Sequence, residues 1–380
     1  MFNKEDISEV RRRASLFEVI SEVVVLKRAG KEYKGCCPFH QEKSPSFHVN
    51  TEKGIYKCFG CGEGGDVFAF VQKVQGKDFV DSVKYLADKY GVKLTETAEE
   101  KQQFDRRAQI FSLYQSACEY FQRLLDDPTE GASARKYLSD RGITQEIVDK
   151  FRLGYAPHAW DGLLTYLTQT AKVSPATLLE AGLVRRKPDS NSHYDLFRNR
   201  LMIPICDDQG RVIAFGGRTL GDDQVKYINS PETPIYVKGK HLFAFHQAKE
   251  SIKTMDSVVV VEGYFDAITP HQFGFTNTVA TLGIALNEYQ AKMLVRYTES
   301  KRVYLAFDAD QAGERAIQSG AETINQIGEG VGLEVRVIRV PGGKDPDECL
   351  RGQGAHAGPQ AYARAIEEAP LLIDYQLEQA

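Results

Sequence analysis

The sequence predicts a multidomain α/β protein: a small cysteine-rich N-terminal module, a mixed α+β part, a parallel sheet covered by helices, and a helical C-terminal segment. Three observations lead there. The chain has 380 residues, more than one core ordinarily organises and enough for two or three domains. Four of its seven cysteines fall between positions 36 and 61. After about residue 255, β-branched runs alternate with helical segments, the mark of a parallel sheet buried on both faces.

In chain order, a helical pattern around Val10 to Ile20 gives way to a Gly-, Cys- and Phe-rich stretch at 30 to 65. Phe79, Val83, Leu86, Ala87 and Tyr90 then recur at the spacing of an amphipathic helix that Gly91 stops. The polar run TETAEEKQQFDRR, at 95 to 107, lacks large aliphatics and reads as a connection into the next helix. From about 108 to 182 the pattern is helical, with Thr144 an N-cap for a short helix at 145 to 151. LMIPIC (201–206) and RVIAFGG (211–217), joined by DDQG, form an antiparallel hairpin in this reading. SVVVVEG, a helix through Phe265, TVATLG, a helix from Asn287, RVYLAFDAD, a helix from Ala312 and LEVRVIRV supply the alternation that follows. The expected divisions are 1–100, a linker at 101–110, then 111–254, 255–342 and 343–380.

Composition narrows the function classes. With 42% hydrophobic and 26% charged residues, no apolar run approaches the ~20 needed to span a bilayer. The charged N-terminus MFNKEDISEV lacks the apolar core of a secretory signal, so a cytoplasmic protein with reduced thiols is expected. A net charge of -4 does not announce nucleic-acid binding, although residues 185 to 240 carry ten Lys and Arg against seven Asp and Glu.

Cys37-Pro-Phe-His40 and Cys58-Phe-Gly-Cys61 are two x2 pairs with 17 residues between them, a spacing at which two knuckles supply four ligands to a tetrahedral zinc. Cys36 could replace Cys37, but Cys37 alone completes C-x2-H. The alternative is buried cysteines without metal. Held by four protein ligands, zinc would have no open position and be structural. Glycines at 60, 62, 64 and 65 would let the second knuckle turn tightly. Cys118, Cys206 and Cys349 read as buried small apolar residues. Lys34, Lys57, Tyr56 and Phe59 place cations and rings beside the knuckles, as phosphate and base recognition requires. The competing reading, core packing, is favoured for Phe39, Phe47 and Phe59.

Glu262 closes the run VVVVE, and Asp308 and Asp310 close RVYLAF. At the carboxyl ends of parallel strands these acids would converge. Their repulsion would raise their pKa values unless a divalent cation such as magnesium neutralised them. Asp266, Asp345 and Asp347 are further candidate ligands, each equally able to be a cap or turn residue. Arg198, Arg200, Arg218, Lys226 beside Tyr227, Lys238 and Lys240 collect upstream. Cations opposite a metal are the arrangement that stabilises phosphoryl transfer.

KGCCPFHQEKSPSFHV and YKCFGCGEGGD resemble the zinc domain of bacterial DnaG-type DNA primases; VEGYFDA, ATLGIAL, FDADQAGERA and GGKDPDE resemble their Toprim domain. DLFRNRLMIPI, IAFGGR and KYINSPETPIYVKGK are similar to the N-terminal part of the polymerase core. The resemblance implies a zinc-ribbon domain, a mixed α+β subdomain, a Toprim parallel α/β sheet and C-terminal helices. It implies zinc on Cys37, His40, Cys58 and Cys61, and magnesium or manganese on Glu262, Asp308 and Asp310, with Asp266, Asp345 and Asp347 nearby. Arg198, Arg200, Arg218, Lys226, Tyr227, Lys238 and Arg141 would lie near template or nucleotide. The implied activity is DNA-dependent synthesis of short RNA primers on single-stranded DNA from ribonucleoside triphosphates, by two-metal nucleotidyl transfer that releases pyrophosphate. A monomer at the replication fork is expected. Family members usually continue into a domain that binds the replicative helicase, whereas this chain stops at PLLIDYQLEQA. A topoisomerase would share the acids but needs a tyrosine nucleophile on a gate domain, for which there is little room. No G-x4-G-K-[ST] loop is present to support a helicase fusion. A non-catalytic single-strand-binding protein would bind DNA without incorporating nucleotides.

Overall fold

The computed structural model describes residues 2–77, 79–95, 98–188, 190, 192–283, 286–307, 334–352 and 357–379. The chain forms two compact units, residues 1–106 and 107–380. The helix Ala98–Asp126 runs through the division, so residues 101–110, expected as a linker, are helical.

Unit 1 opens with the helices Lys4–Arg13 and Leu16–Ser21. Strands β1 (Lys27–Ala29), β2 (Glu32–Gly35), β3 (Phe47–Asn50), β4 (Ile55–Cys58) and β5 (Gly64–Gly65) follow as one antiparallel sheet in sequential order. Side chains alternate across a strand, and the inward set Phe47, Val49 and Tyr56 packs on the helix Val67–Gln75 through Phe70, with Phe39 beside them. Asp66 caps that helix, accepting the Ala69 N–H at 3.0 Å. The helix Phe79–Tyr90 buries Val83, Leu86 and Ala87, the face its spacing predicts.

Unit 2 holds two four-stranded sheets. In the first, β6 (Gly154–Ala156), β9 (Arg200–Cys206), β10 (Val212–Thr219) and β11 (Tyr227–Asn229) lie in the antiparallel order β11-β10-β9-β6. The expected hairpin is β9–β10; the short ribbon β7 (Val184–Arg186) and β8 (His193–Asp195) stands apart. The short helix after Thr144 is Gln145–Lys150, and the Thr144 side chain makes no capping bond to it.

The second sheet is parallel: β12 (Ser257–Val261), β13 (Thr278–Ala280), β14 (Arg302–Leu305) and β15 (Glu334–Val337) in the order β13-β12-β14-β15. Val259, Val261 and Tyr304 point into the core shared with the antiparallel sheet. Val258, Val260, Val303, Leu305, Val335 and Val337 point into a second core with the helix Phe245–Met255. Both faces are therefore covered, which is why these strands read as unbroken apolar runs. The helix expected from Ala312 lies outside the described residues. The C-terminal segment forms Pro346–Arg351, Pro359–Glu367 and Leu372–Gln379. No helix among the described residues is long and apolar enough to cross a membrane.

Candidate metal and phosphate sites

In unit 1 the β2–β3 loop supplies Cys37 and His40, β4 ends on Cys58, and the turn after it carries Cys61. Their ligand atoms all lie within 4.8 Å of one another. Cys37 Sγ is 3.8 Å from Cys61 Sγ, and Cys58 Sγ is 3.9 Å from His40 Nδ1. A tetrahedron built on zinc–sulfur bonds of ~2.3 Å has edges of roughly 3.8 Å, so the donor set fits zinc without rearrangement. Cys36 is exposed and outside this cluster, and the thiol that stands within it is that of Cys37. Burial pushes the Cys37 thiol up to about 12, so a cation is needed to hold it as thiolate. The N–H groups of Gly60 and Cys61 reach Cys58 Sγ at 3.3 and 3.4 Å. A Cβ on Gly60 would stand 2.7 Å from His40 Nε2, which accounts for glycine in this knuckle.

Two residues the sequence reading missed organise the first knuckle. Glu42 accepts the N–H groups of Cys37 at 2.7 Å and Ser46 at 3.1 Å and the Ser46 hydroxyl, and its Oε2 lies 3.3 Å from His40 Nε2. A carboxylate on the far nitrogen fixes the tautomer that leaves Nδ1 for the metal. Ser46 Oγ also lies 3.2 Å from Cys58 Sγ. A Glu two residues after a ligand His was the available signal.

On the solvent face of this sheet, cross-strand pairing aligns Lys27, Lys34, His48 and Lys57 in one row. Phe59, expected in the core, is 71% exposed and meets His48 edge-on at 4.8 Å. Tyr56, a candidate for base stacking, is buried on the opposite face. The period of two puts the two rings on different sides of the sheet.

In unit 2, β12 is flanked by β13 on one side and β14 on the other, so its carboxyl end is the topological switch point, where open α/β sheets bind ligands. Glu262 directly follows β12 there and is half-buried. Asp266 reaches back over the start of the helix Tyr264–Gln272: a Cβ on Gly263 would stand 2.5 Å from its Oδ2. Asp308 and Asp310 lie outside the described residues; in sequence Asp308 follows Phe307, just beyond β14. Asp345 caps the helix Pro346–Arg351, accepting the Glu348 N–H at 2.7 Å, and burial raises its pKa.

Asp347, two residues on, has both carboxylate oxygens engaged. Oδ1 accepts from Thr269 Oγ1 at 2.6 Å and Arg351 Nε at 3.0 Å, and Oδ2 from Arg141 Nη1 at 2.6 Å and Arg351 Nη2 at 2.7 Å. Four donors use the carboxylate's four lone-pair positions.

Arg200, expected near nucleotide or template, is buried. Its guanidinium donates to the carbonyls of Gly217 at 3.1 Å and Val225 at 3.2 Å and to Asp223 Oδ2 at 3.1 Å. It pins the β10–β11 loop and does not face solvent. Arg218 and Lys226 line a cleft of about 480 Å³ together with Tyr137 and Ser133. Arg218 Cζ sits 4.1 Å from the Tyr137 ring centroid. Tyr227 is half-buried beside Tyr264, 5.8 Å between centroids. Lys238 opens a single 3-10 turn and Lys240 is exposed.

Arg198 stacks on Trp160, 4.2 Å from the ring, and on Tyr194 at 5.0 Å. Trp160 is the chain's single tryptophan and is 57% exposed; its solitude was the signal that could have found it. Asp195 holds this corner: its N–H donates to the Trp160 carbonyl at 2.8 Å, its carbonyl accepts from Arg198 at 2.7 Å, and its carboxylate accepts the N–H groups of Leu163 and Leu164 at 2.8 and 2.9 Å. Burial outweighs those bonds and lifts its pKa to about 6, above the unfolded value of ~3.9. The folded state thus binds this proton more tightly. Its contribution to stability is complete below pH ~4 and is lost as pH rises through about 6. In urea unfolding followed by Trp160 fluorescence, wild type should lose stability relative to Asp195→Asn between pH 4 and 7. A pH-independent difference between the two would contradict this.

Residues 2–102 match the family model for the CHC2 zinc finger, 120–249 that for the DNA primase catalytic core N-terminal domain, and 259–350 the Toprim-like model. Together with the geometry, these define the class: a zinc-ribbon module joined to a Toprim-type core. The chain is 39% identical to a DNA primase of Synechocystis sp. over 99% of its own length and 60% of that protein's. It is 35% identical to the Aquifex aeolicus primase zinc-binding and RNA polymerase domains, TM-score 0.62, covering 98% of this chain and 87% of that one. It is 33% identical to a DnaG primase catalytic domain bound to ssDNA, TM-score 0.64, covering 72% of this chain and 83% of that one. The chain belongs to the bacterial DnaG-type DNA primase family. It spans about 60% of the length of the curated relatives it matches.

Proposed function

We propose that this chain carries the primer-synthesising activity of a primase: it binds single-stranded DNA and joins ribonucleoside triphosphates into short RNA, releasing pyrophosphate. The observation that carries this reading is one unit's combination of Glu262 at the sheet's switch point with a cleft lined by Arg218 and Lys226. Arg141 joins the two regions, since Asp347 ties it to Thr269 on the helix that begins two residues after Glu262.

In this reading Glu262, with Asp308 and Asp310 as the resemblance implies and Asp266 and Asp345 beside them, would hold magnesium or manganese. When bound, the metal would neutralise charge on the attacking hydroxyl and the leaving phosphates. Arg218 and Lys226 bind phosphate in the cleft. Trp160 and Arg198 offer a cation-backed ring on which an unpaired base stacks. The row Lys27, Lys34, His48 and Lys57, with Phe59, gives unit 1 its own surface for template strand. The zinc tetrad keeps that surface folded and takes no part in the chemistry. Template affinity should carry the salt dependence of phosphate contacts. For the longer protein we propose a replicative helicase as partner, and for the chain a monomeric working state in the cytoplasm.

The test is incorporation of labelled ribonucleotides on unprimed single-stranded DNA with magnesium. Wild type should make short RNA, and Glu262→Gln at least ~100-fold less. A chain that binds the DNA and makes no RNA on varied templates would be a single-strand-binding protein instead.

A further inference from the structure

We propose that Asp347 is a positioning residue that aims the Arg141 guanidinium at a phosphate group, and is not a ligand of the catalytic metal. The inference rests on the primase reading for the identity of that phosphate, which belongs to the nucleotide or to the template.

Asp347 sits on the helix Pro346–Arg351, is buried, and receives one donor at every lone-pair position. Arg351 grips it with two nitrogens, the fork geometry that makes such pairs strong and directional. Thr269 comes from the helix Tyr264–Gln272, and Arg141 from the end of the helix Ala132–Asp140. A metal on Asp347 would have to displace the half-buried Arg141 or one arm of Arg351 from a buried carboxylate and leave that guanidinium without its counter-charge, which is costly.

The same contacts explain what the carboxylate does. Arg141 Cζ lies 4.4 Å from the Phe265 ring centroid and 5.2 Å from that of Tyr137. Tyr137 carries Arg218 at 4.1 Å and lines the cleft with Arg218 and Lys226. Two guanidiniums around one ring repel each other, and a half-buried arginine needs a fixed counter-charge to stay oriented. Asp347 supplies it. One carboxylate against Arg141 and Arg351 leaves the trio with a net positive charge, suited to an anion. Opposing Arg351 and Thr269 hold Asp347 in place, so Arg141 is aimed by a rigid anchor.

Three readouts on the full chain test this. First, Mn2+ affinity, measured by the EPR signal of free Mn2+, should change less than about twofold in Asp347→Asn and fall clearly in Glu262→Gln. Second, Asp347→Asn and Arg141→Gln should each weaken phosphate binding by ~10-fold, and the double variant should be no worse than either, as expected of residues acting as one unit. A rise in KM for nucleotide with template Kd unchanged assigns the triphosphate; the reverse assigns the template, with the salt slope reduced by ~0.7. Third, Trp160 fluorescence and zinc content check that each variant is folded; if Asp347→Asn is not, Arg141→Gln and Arg141→Lys carry the test, Arg141→Lys restoring charge without the fork. Loss of Mn2+ binding in folded Asp347→Asn equal to that in Glu262→Gln overturns the proposal, as do additive effects in the double variant. A wild type that makes no RNA overturns the primase reading alone, because the Mn2+ and DNA-binding readouts do not need synthesis.

Discussion

Cys58→Ser will cost unit 1 its zinc and, with it, its fold. Cys58 is fully buried at the end of β4, between His40, Ser46 and the N–H groups of Gly60 and Cys61. A hydroxyl is a poor zinc ligand, and three remaining donors leave the ion open to water. Structural zinc contributes ~10–16 kcal/mol in zinc-finger peptides, against ~5–15 kcal/mol for the whole stability of an ordinary domain. The core of Phe39, Phe47, Tyr56 and Phe70 has its strands joined through the two knuckles, so loss of the ion frees both loops at once. Metal analysis should fall from one zinc per chain to near none, and limited proteolysis should digest residues before about 100 while Trp160 fluorescence in unit 2 is unchanged. Full zinc content with a protease-resistant unit 1 would show that Cys58 is not a ligand.

Gly216→Ala should be the most damaging single-methyl substitution in the antiparallel sheet. A Cβ there would stand 2.3 Å from both Cζ and Oη of Tyr264. Tyr264 cannot retreat: it is buried against Phe243, with centroids 4.9 Å apart, and its hydroxyl donates to Asn229 Oδ1 at 2.6 Å. Asn229 is itself the cross-strand partner of Gly216, so the ring is held against a position where only glycine leaves it room. Overpacking of this kind costs ~1–3 kcal/mol where neighbours can shift, and the upper end or beyond is expected because losing the hydrogen bond leaves Asn229 without its donor. Tyr264 begins the helix that follows Glu262, so the variant should also lower the proposed primer synthesis beyond its loss of stability. Urea unfolding followed by Trp160 fluorescence gives the first quantity. An unchanged midpoint would mean the ring has another place to go.

Much of the architecture was legible because it is written in local periods. The helix Phe79–Tyr90 follows a 3.6-residue pattern closed by Gly91, which adopts φ 64°. The β9–β10 hairpin and the strands β12, β14 and β15 follow from alternation and from apolar runs. The four zinc donors were legible because knuckle spacing is itself the geometry of the site. Arg200 was misread because FRNR shows two similar cations two residues apart. Strand β9 buries the second beside the carbonyls of the β10–β11 loop and leaves the first to stack on Trp160. Phe59 and Tyr56 were exchanged for a similar reason, since composition cannot say on which side of a strand's end a ring will lie.

Asp345 and Asp347 make the same point at the start of the helix Pro346–Arg351. In GGKDPDE they are near-equivalent acids, yet one caps a helix and the other, a half-turn further, faces two arginines and a threonine. The partner Arg141 lies 206 residues away in the chain, and no spacing rule reaches that far. The sequence by itself determined the clustering of Cys37, His40, Cys58 and Cys61, the parallel sheet and the acid that closes β12, because each depends on neighbours within a few residues or on a repeating period. Which acids stay available to a metal, and which cations face the cleft, was decided only by tertiary packing, because a charge's partner is whatever the fold brings within about 3 Å of it.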